Sequence, residues 1–300
     1  MKDGFIKAAG TPDVQVADCE FNAAEIIKMV REMEAEGARV MVFPELCITA
    51  YTCGDLFWQE NLLEEAKVQL MRIAEETADV DAIIFVGLPL EYKGKLYNVA
   101  AGLNHGEILG FVPKTYLPNY NEFYEARYFT SGEDVDGTVT IRRSEYGLHH
   151  DEEMTDEDVE FGLEAELEAL EEEDSFEELE EIDEEPDYID EDETEEFDEV
   201  DVPISSNILF ICQEMPKLKI AAEICEDLWV PNPPSVGHAY HGANLIVNLS
   251  ASDEVVGKDS YRKSLVSAQS ARLLCGYIYA TAGEGESTQD VVYGGHNLIA

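Results

Sequence analysis

Positive charge is what this 300-residue chain most lacks: 19 Lys and Arg stand against 66 Asp and Glu, a net charge of −47. Such a field repels nucleic-acid phosphate and anionic lipid alike, and no local basic patch offsets it, so neither is expected as a partner. Long apolar runs are missing as well. Ala82 to Leu90, among the longest, falls well short of the roughly 20 residues a bilayer span needs, and the N-terminus MKDGFIKAAG has no apolar stretch of the signal-peptide kind. A cytoplasmic protein is expected. Cysteine is sparse: Cys19, Cys47, Cys53, Cys212, Cys225 and Cys275 form no C-x-x-C pair, which removes the usual zinc and thioredoxin-like motifs. Six thiols are also too few for a disulfide scaffold, so reduced cysteines are expected and any special one must be found by its context.

What the chain has in excess is concentrated. From His150 to Pro203, 31 of 54 positions are acidic, and no Lys or Arg occurs between Arg143 and Lys217. Leu163, Leu167, Leu170, Phe176, Leu179 and Ile182 are spaced for short amphipathic helices, but like charges four apart oppose them. The expectation is a solvated, disordered insertion over about 144–203. It is either a docking surface for a basic partner or a solubilising segment without a dedicated role. His149 and His150 at its head lack partners at ligand spacing, and no metal site is expected.

Over the whole chain 45% of residues are hydrophobic and 9% aromatic, an ordinary globular composition, and outside that stretch the pattern is that of packed strands and helices. Phe5 to Ala9 starts as a strand. Asn22 followed by Glu25 reads as the start of a helix whose Ile26, Ile27, Val30 and Met33 share one face. ARVMVFPEL, DAIIFVGLPL, KLYNVAAGL, GEILGFVPK, SNILFICQ, LKIAAEIC, NLIVNLSAS and GYIYATA read as strands. Leu62, Ala66, Leu70 and Ile73 mark a second helix, and Asp259 to Cys275 a third with Tyr261, Leu265 and Ala268 inward. Many strands are apolar throughout, as when a sheet is covered on both faces. The fold class is therefore α/β, with helices outside two central sheets.

Three reactive residues each follow directly on an apolar strand, where side chains converge at a sheet's end: Glu45 in VMVFPEL, Lys114 in GFVPKTYLPN and Cys225 in IAAEICEDLW. Together a carboxylate, an amine and a thiol can hydrolyse an amide. The thiol attacks the carbonyl carbon, the carboxylate moves the proton, and the ammonium stabilises the oxyanion. Each also has a plainer reading: an inert core thiol, a helix cap, a surface lysine. GEGES near Gly283 lacks the Lys-Ser/Thr of a phosphate loop and reads as a rim of the site.

FPELCITAYTCGDLF, PKTYLPNYNEFYEARYF, AAEICEDLW, NLSAS and TAGEGESTQDVVYGGH resemble the nitrilase-type, carbon-nitrogen hydrolase family, and within it the N-terminal glutaminase domain of glutamine-dependent NAD synthetases. The resemblance covers nearly the whole chain except the acidic insertion. It implies a nitrilase-like α-β-β-α sandwich over 1–300 and a Glu45, Lys114, Cys225 triad with Glu125 holding the lysine. It implies L-glutamine bound at Tyr120, Ser252 and Lys258. It further implies a synthetase domain of the same polypeptide as partner, a homo-oligomer, no cofactor in this domain, and ATP and magnesium in the synthetase domain. That domain's SGG-x-DS loop does not occur here, so the sequence reads as a piece of a longer enzyme. The alternatives are a stand-alone amidase acting on another small amide, and a catalytically dead acidic interaction module.

Overall fold

The computed structural model describes residues 5–142 and 199–300. The chain divides into a main unit, 1–141 with 201–300, and a second unit, 142–200, of which only Arg142, Glu199 and Val200 are described. A seven-stranded sheet contains β1 (Ile6–Ala9), β2 (Ala38–Val42), β3 (Ile83–Tyr92), β4 (Lys95–Asn104), β5 (Glu107–Pro113), β6 (Asp136–Arg142) and β7 (Glu199–Ser205), in the order β1-β2-β3-β4-β5-β7-β6. A five-stranded sheet contains β8 (Phe210–Ile211), β9 (Lys219–Ile224), β10 (Leu245–Ser250), β11 (Gly276–Thr281) and β12 (Leu298–Ile299), in the order β12-β11-β10-β9-β8. Strands β1 to β3 run parallel, as do β9 to β11.

The apolar runs explain the layering. One cluster joins Val40, Val42, Phe85, Ala100 and Val112 of the first sheet to Ile220, Ala222, Val247 and Ile278 of the second, so the two sheets share an inner core. The alternate residues of the second sheet, Ala221, Ile246, Tyr277 and Tyr279, pack with Val266 and Ala239 of the helices outside it. Those helices are α3 (Pro234–Tyr240) and α4 (Lys258–Leu273), while α1 (Cys19–Ala35) and α2 (Glu60–Glu76) lie against β2 and β3. Helix α2 turns Leu62, Ala66, Leu70 and Ile73 inward as its spacing requires. This is the expected sandwich.

Three local expectations are corrected. Helix α1 begins at Cys19, because Asp18 caps it by accepting from the Phe21 N–H at 3.0 Å; Asn22 is buried and spends its amide on the Gln15 and Ile48 carbonyls. Helix α4 turns Arg262, Val266 and Gln269 inward and leaves Tyr261 and Ala268 exposed. A fully buried arginine sits where periodicity asks for an apolar residue. Finally, the expected insertion does not extend to 203. Glu199–Ser205 is β7, with Val202 and Ile204 buried and Ile204 in parallel register with Phe111. Its acidic residues occupy the outward positions of an alternating strand, which low complexity concealed. The rest of the expected insertion, with its helical spacing and His149 and His150, lies outside the described residues.

Candidate active site

Glu45, Lys114 and Cys225 all sit where strands of the two sheets end. Glu45 lies three residues beyond β2, on a turn that crosses over β3 at Gly87. A Cβ on Gly87 would meet the Leu46 nitrogen at 2.3 Å and the Pro44 oxygen at 2.7 Å, so only glycine admits this crossing. Lys114 follows β5 directly. Its backbone is pinned by donation to the Asn98 carbonyl at 2.8 Å and by acceptance from Gly132. Cys225 follows β9 as the first residue of the short turn Cys225–Leu228, at a φ of +44°. A non-glycine residue there is strained, on the order of 1–3 kcal/mol, and such strain persists only where the surroundings impose it.

The imposing group is Asp227. Its Oδ2 accepts from Ile224 N at 2.9 Å, and its Oδ1 accepts from Tyr116 N at 2.8 Å and Thr115 N at 3.2 Å. One buried carboxylate thus ties the Cys225 turn to the segment after Lys114. Burial pushes Asp227 up to about 8, while the donors from Ile224 and Tyr116 oppose the rise.

The charged centre is compact and dry. The Lys114 ammonium donates to Glu45 Oε1 at 2.5 Å and Glu125 Oε1 at 2.7 Å, and all three side chains are 5% exposed or less. Asn98 donates to Glu45 Oε1 at 2.6 Å, the Ala251 N–H to Glu45 Oε2 at 2.9 Å, and the Tyr51 hydroxyl to Glu125 Oε1 at 2.8 Å. Burial works against the Lys114 charge, but Glu125 and Glu45 outweigh it and hold the ammonium well above its ordinary range. Glu125 is pushed up to about 7, by burial first, with Lys114 pulling down and Glu45 pushing further up. The Cys225 thiol is raised by burial and then by Glu45, with Lys114 opposing, so it rests protonated.

The other expected residues are Tyr120, Lys258 and Ser252. The Tyr120 hydroxyl donates to both oxygens of Glu226 at 3.0 Å, next to Cys225 in sequence. The Lys258 ammonium lies 5.6 Å from the Phe123 ring and 5.5 Å from the Trp229 ring, and it pairs with buried Asp253. Ser252 is buried, and its hydroxyl accepts from Arg262 Nη2 at 3.2 Å. Arg262 also pairs with Glu254 at 2.6 Å. Beside Tyr51 and Glu125 opens a cleft of about 300 Å³, walled by Phe57, Phe123, Tyr128 and Tyr293. Among the described residues no cluster suited to a metal ion occurs, and no helix is long and apolar enough to cross a membrane.

Residues 8–300 match the carbon-nitrogen hydrolase family. The chain belongs to that family. Among curated relatives of this carbon-nitrogen hydrolase is the glutamine-dependent NAD(+) synthetase of Mycobacterium tuberculosis H37Rv, 33% identical over 297 residues, or 99% of this chain. That of Aquifex aeolicus is 27% identical over 95% of it. The chain spans about 36% of the length of these relatives. A solved glutamine-dependent NAD(+) synthetase from Cytophaga hutchinsonii superposes with a TM-score of 0.70 at 26% identity, over 99% of this hydrolase and 39% of that chain. An amidase from Nesterenkonia sp. gives 0.63 at 16% identity, covering 84% of that chain, which speaks to the fold alone.

Sequence reasoning missed Asn98, Tyr51, Asp227 and Asp253. Only Asp227, two residues beyond Cys225, carried a local signal.

Proposed function

We propose that this domain is a glutamine amidohydrolase working through Glu45, Lys114 and Cys225, the glutaminase part of a glutamine-dependent NAD synthetase. The observation that carries the reading is the buried ammonium of Lys114, shared by Glu45 and Glu125 beside the strained Cys225 turn. An arrangement this costly to desolvate serves chemistry better than packing.

The resting thiol is neutral, so it needs a base. Glu45 takes the thiol proton as sulfur attacks the amide carbon, and Lys114 faces the oxygen on which negative charge develops. The carbon-nitrogen bond then breaks, Glu45 returns the proton to the departing nitrogen, and ammonia leaves a thioester on Cys225. Water, deprotonated by Glu45, cleaves the thioester to glutamate and free thiol. Glu125 keeps the ammonium aimed. Tyr120 and Ser252 offer hydroxyls to the substrate, and Lys258, balanced by Asp253, offers the cation for its α-carboxylate. In the complete enzyme the ammonia passes to an ATP- and magnesium-using synthetase unit that amidates nicotinic acid adenine dinucleotide.

The test is covalent. An electrophilic glutamine analogue is expected to label Cys225 and no other cysteine on peptide mapping, and Cys225→Ala to release no ammonia from glutamine. A label on Cys47 or Cys53, or turnover by the alanine variant, refutes the mechanism. Equal hydrolysis of butyramide and glutamine by the unaltered chain favours a small-amide amidase, because the Lys258 cation offered to the α-carboxylate would then contribute nothing to substrate choice.

A further inference from the structure

The loop GEGES carries a carboxylate that the hydrolysis above does not use. Glu286 is 8% exposed. Its Oε1 accepts from the Tyr51 N–H at 2.7 Å; its Oε2 accepts from the Thr52 N–H at 3.0 Å and the Thr52 hydroxyl at 2.5 Å. The same hydroxyl accepts from the Ser287 N–H at 2.9 Å. Four hydrogen bonds therefore lock two segments more than two hundred residues apart. The backbone they hold is unusual, because Ala50, just before Tyr51, stands at a φ of +70°.

Tyr51 connects this lock to the chemistry. Its hydroxyl donates at 2.8 Å to Glu125 Oε1, the oxygen that also accepts from Lys114. Both locked segments line the cleft beside Glu125, and the Tyr51 ring meets the Tyr293 ring edge-on at 6.1 Å. The path Glu286, Tyr51, Glu125, Lys114 is unbroken.

We infer that Glu286 is a positioning residue: it fixes the Tyr51 backbone so that the Tyr51 hydroxyl holds Glu125, and through Glu125 the Lys114 ammonium, in the orientation that amide hydrolysis requires. This rests on the hydrolase reading above. The choice of side chain follows from the donors. Two N–H groups and a hydroxyl converge on Glu286, which has two acceptor oxygens; glutamine has one and would turn its own NH2 toward a donor. A role confined to loop packing would lower stability and leave the catalytic constants alone.

The experiment is a kinetic double-mutant cycle on the full chain with Glu286→Gln, Tyr51→Phe and the pair, using glutamine and, in parallel, butyramide. Each single change is expected to lower kcat about tenfold with KM within about twofold, and the pair to fall no further than the worse single variant, because both act through one hydroxyl. Losses that multiply, or a Glu286→Gln variant with an unaltered kcat and only a lowered Tm, would overturn the assignment. Should Glu286→Gln not fold, Thr52→Ala keeps both N–H donors and removes the hydroxyl. Its smaller loss in kcat is expected to vanish in the Tyr51→Phe background, and persistence there overturns the assignment equally. If only butyramide is hydrolysed, the glutamine reading fails while the cycle on butyramide still decides the role of Glu286.

Discussion

The two ends of the sandwich share one inner core and differ in almost everything else. At the end holding Glu45, Lys114 and Cys225, charges are dry: Lys114 and Glu45 side chains are fully buried and joined at 2.5 Å. At the opposite end a larger cleft, about 530 Å³, opens over Val40, Ile83, Phe210 and Ile220, but its charges are wet. Arg39 and Asp81 there are 43% and 70% exposed and 3.3 Å apart. His105 is 3.9 Å from the same Asp81. The proposed chemistry is therefore assigned not to the larger cleft but to the end where charge is desolvated, because a charge withdrawn from water acts on its neighbours with an effective dielectric several-fold lower than that of solvent.

The sharpest way to break this comparison is to remove the dry cation. Lys114→Met keeps length and volume but deletes the ammonium that the proposed mechanism sets against the developing oxyanion, and turnover is expected to fall by about two to three orders of magnitude, the loss typical of one oxyanion donor. Steady-state ammonia release measures it. A variant retaining most of its turnover would make the buried ammonium structural and erase the functional contrast between the ends.

A second test uses pH at the same end. Glu125 titrates near 7 in the folded protein, raised by burial first, against an ordinary 4.5. Between those values the folded state holds a proton that the unfolded state has released, so stability falls as pH rises from about 4.5 to about 7. Glu125→Gln cannot titrate and is expected to lose this slope, a difference of up to about 1.4 kcal/mol per pH unit. Urea unfolding of both proteins at pH 5 and pH 7 isolates Glu125 from the many other carboxylates, and parallel pH dependences would refute the dry environment assigned to it.

Deleting the acidic stretch asks whether either end depends on it. Removing 150–198 with a short flexible linker is expected to leave hydrolysis within about twofold, since the entropy of joining two chain ends varies only slowly with the length of the connection. Extending the cut through Pro203 takes out much of β7 and its buried Val202, at about 2 kcal/mol or more. Thermal melts of the two deletions separate them; equal loss in both would make the whole segment part of the fold.

Sequence was most readable where one element suffices. Apolar runs announced the long strands, and reactive residues that interrupt such runs pointed to Glu45, Lys114 and Cys225, which the fold brings to one end. What stayed hidden depends on pairs. Asp227 stands out locally, two residues beyond Cys225, but its clamp on Thr115, 112 positions away, does not. Glu286 needs Tyr51 and Thr52, Asn98 needs Glu45, and Lys258 needs Asp253 to show that its charge is already balanced. Arg262 misled the phase of α4 because a buried ion pair mimics nothing in a hydrophobic pattern. Strand β7 was lost because its outward residues share the acidity of the stretch before it.

The smallest expected effect lies at the wet end. Arg39→Ala removes a guanidinium that pairs with Asp81 in the presence of solvent, and exposed pairs of this kind contribute about 0–1 kcal/mol. Salt should shrink even that difference, since half a molar sodium chloride brings the Debye length down to about 4 Å, close to the separation of the pair. Turnover should not move, because the core between the ends is packed side chain on side chain and Arg39 touches none of the groups around Lys114. Denaturant midpoints for the two proteins at low and high salt, with ammonia release alongside, complete the comparison. A loss of several kcal/mol, or a fall in turnover, would show that the large cleft is coupled to the site and that its charges matter despite their exposure.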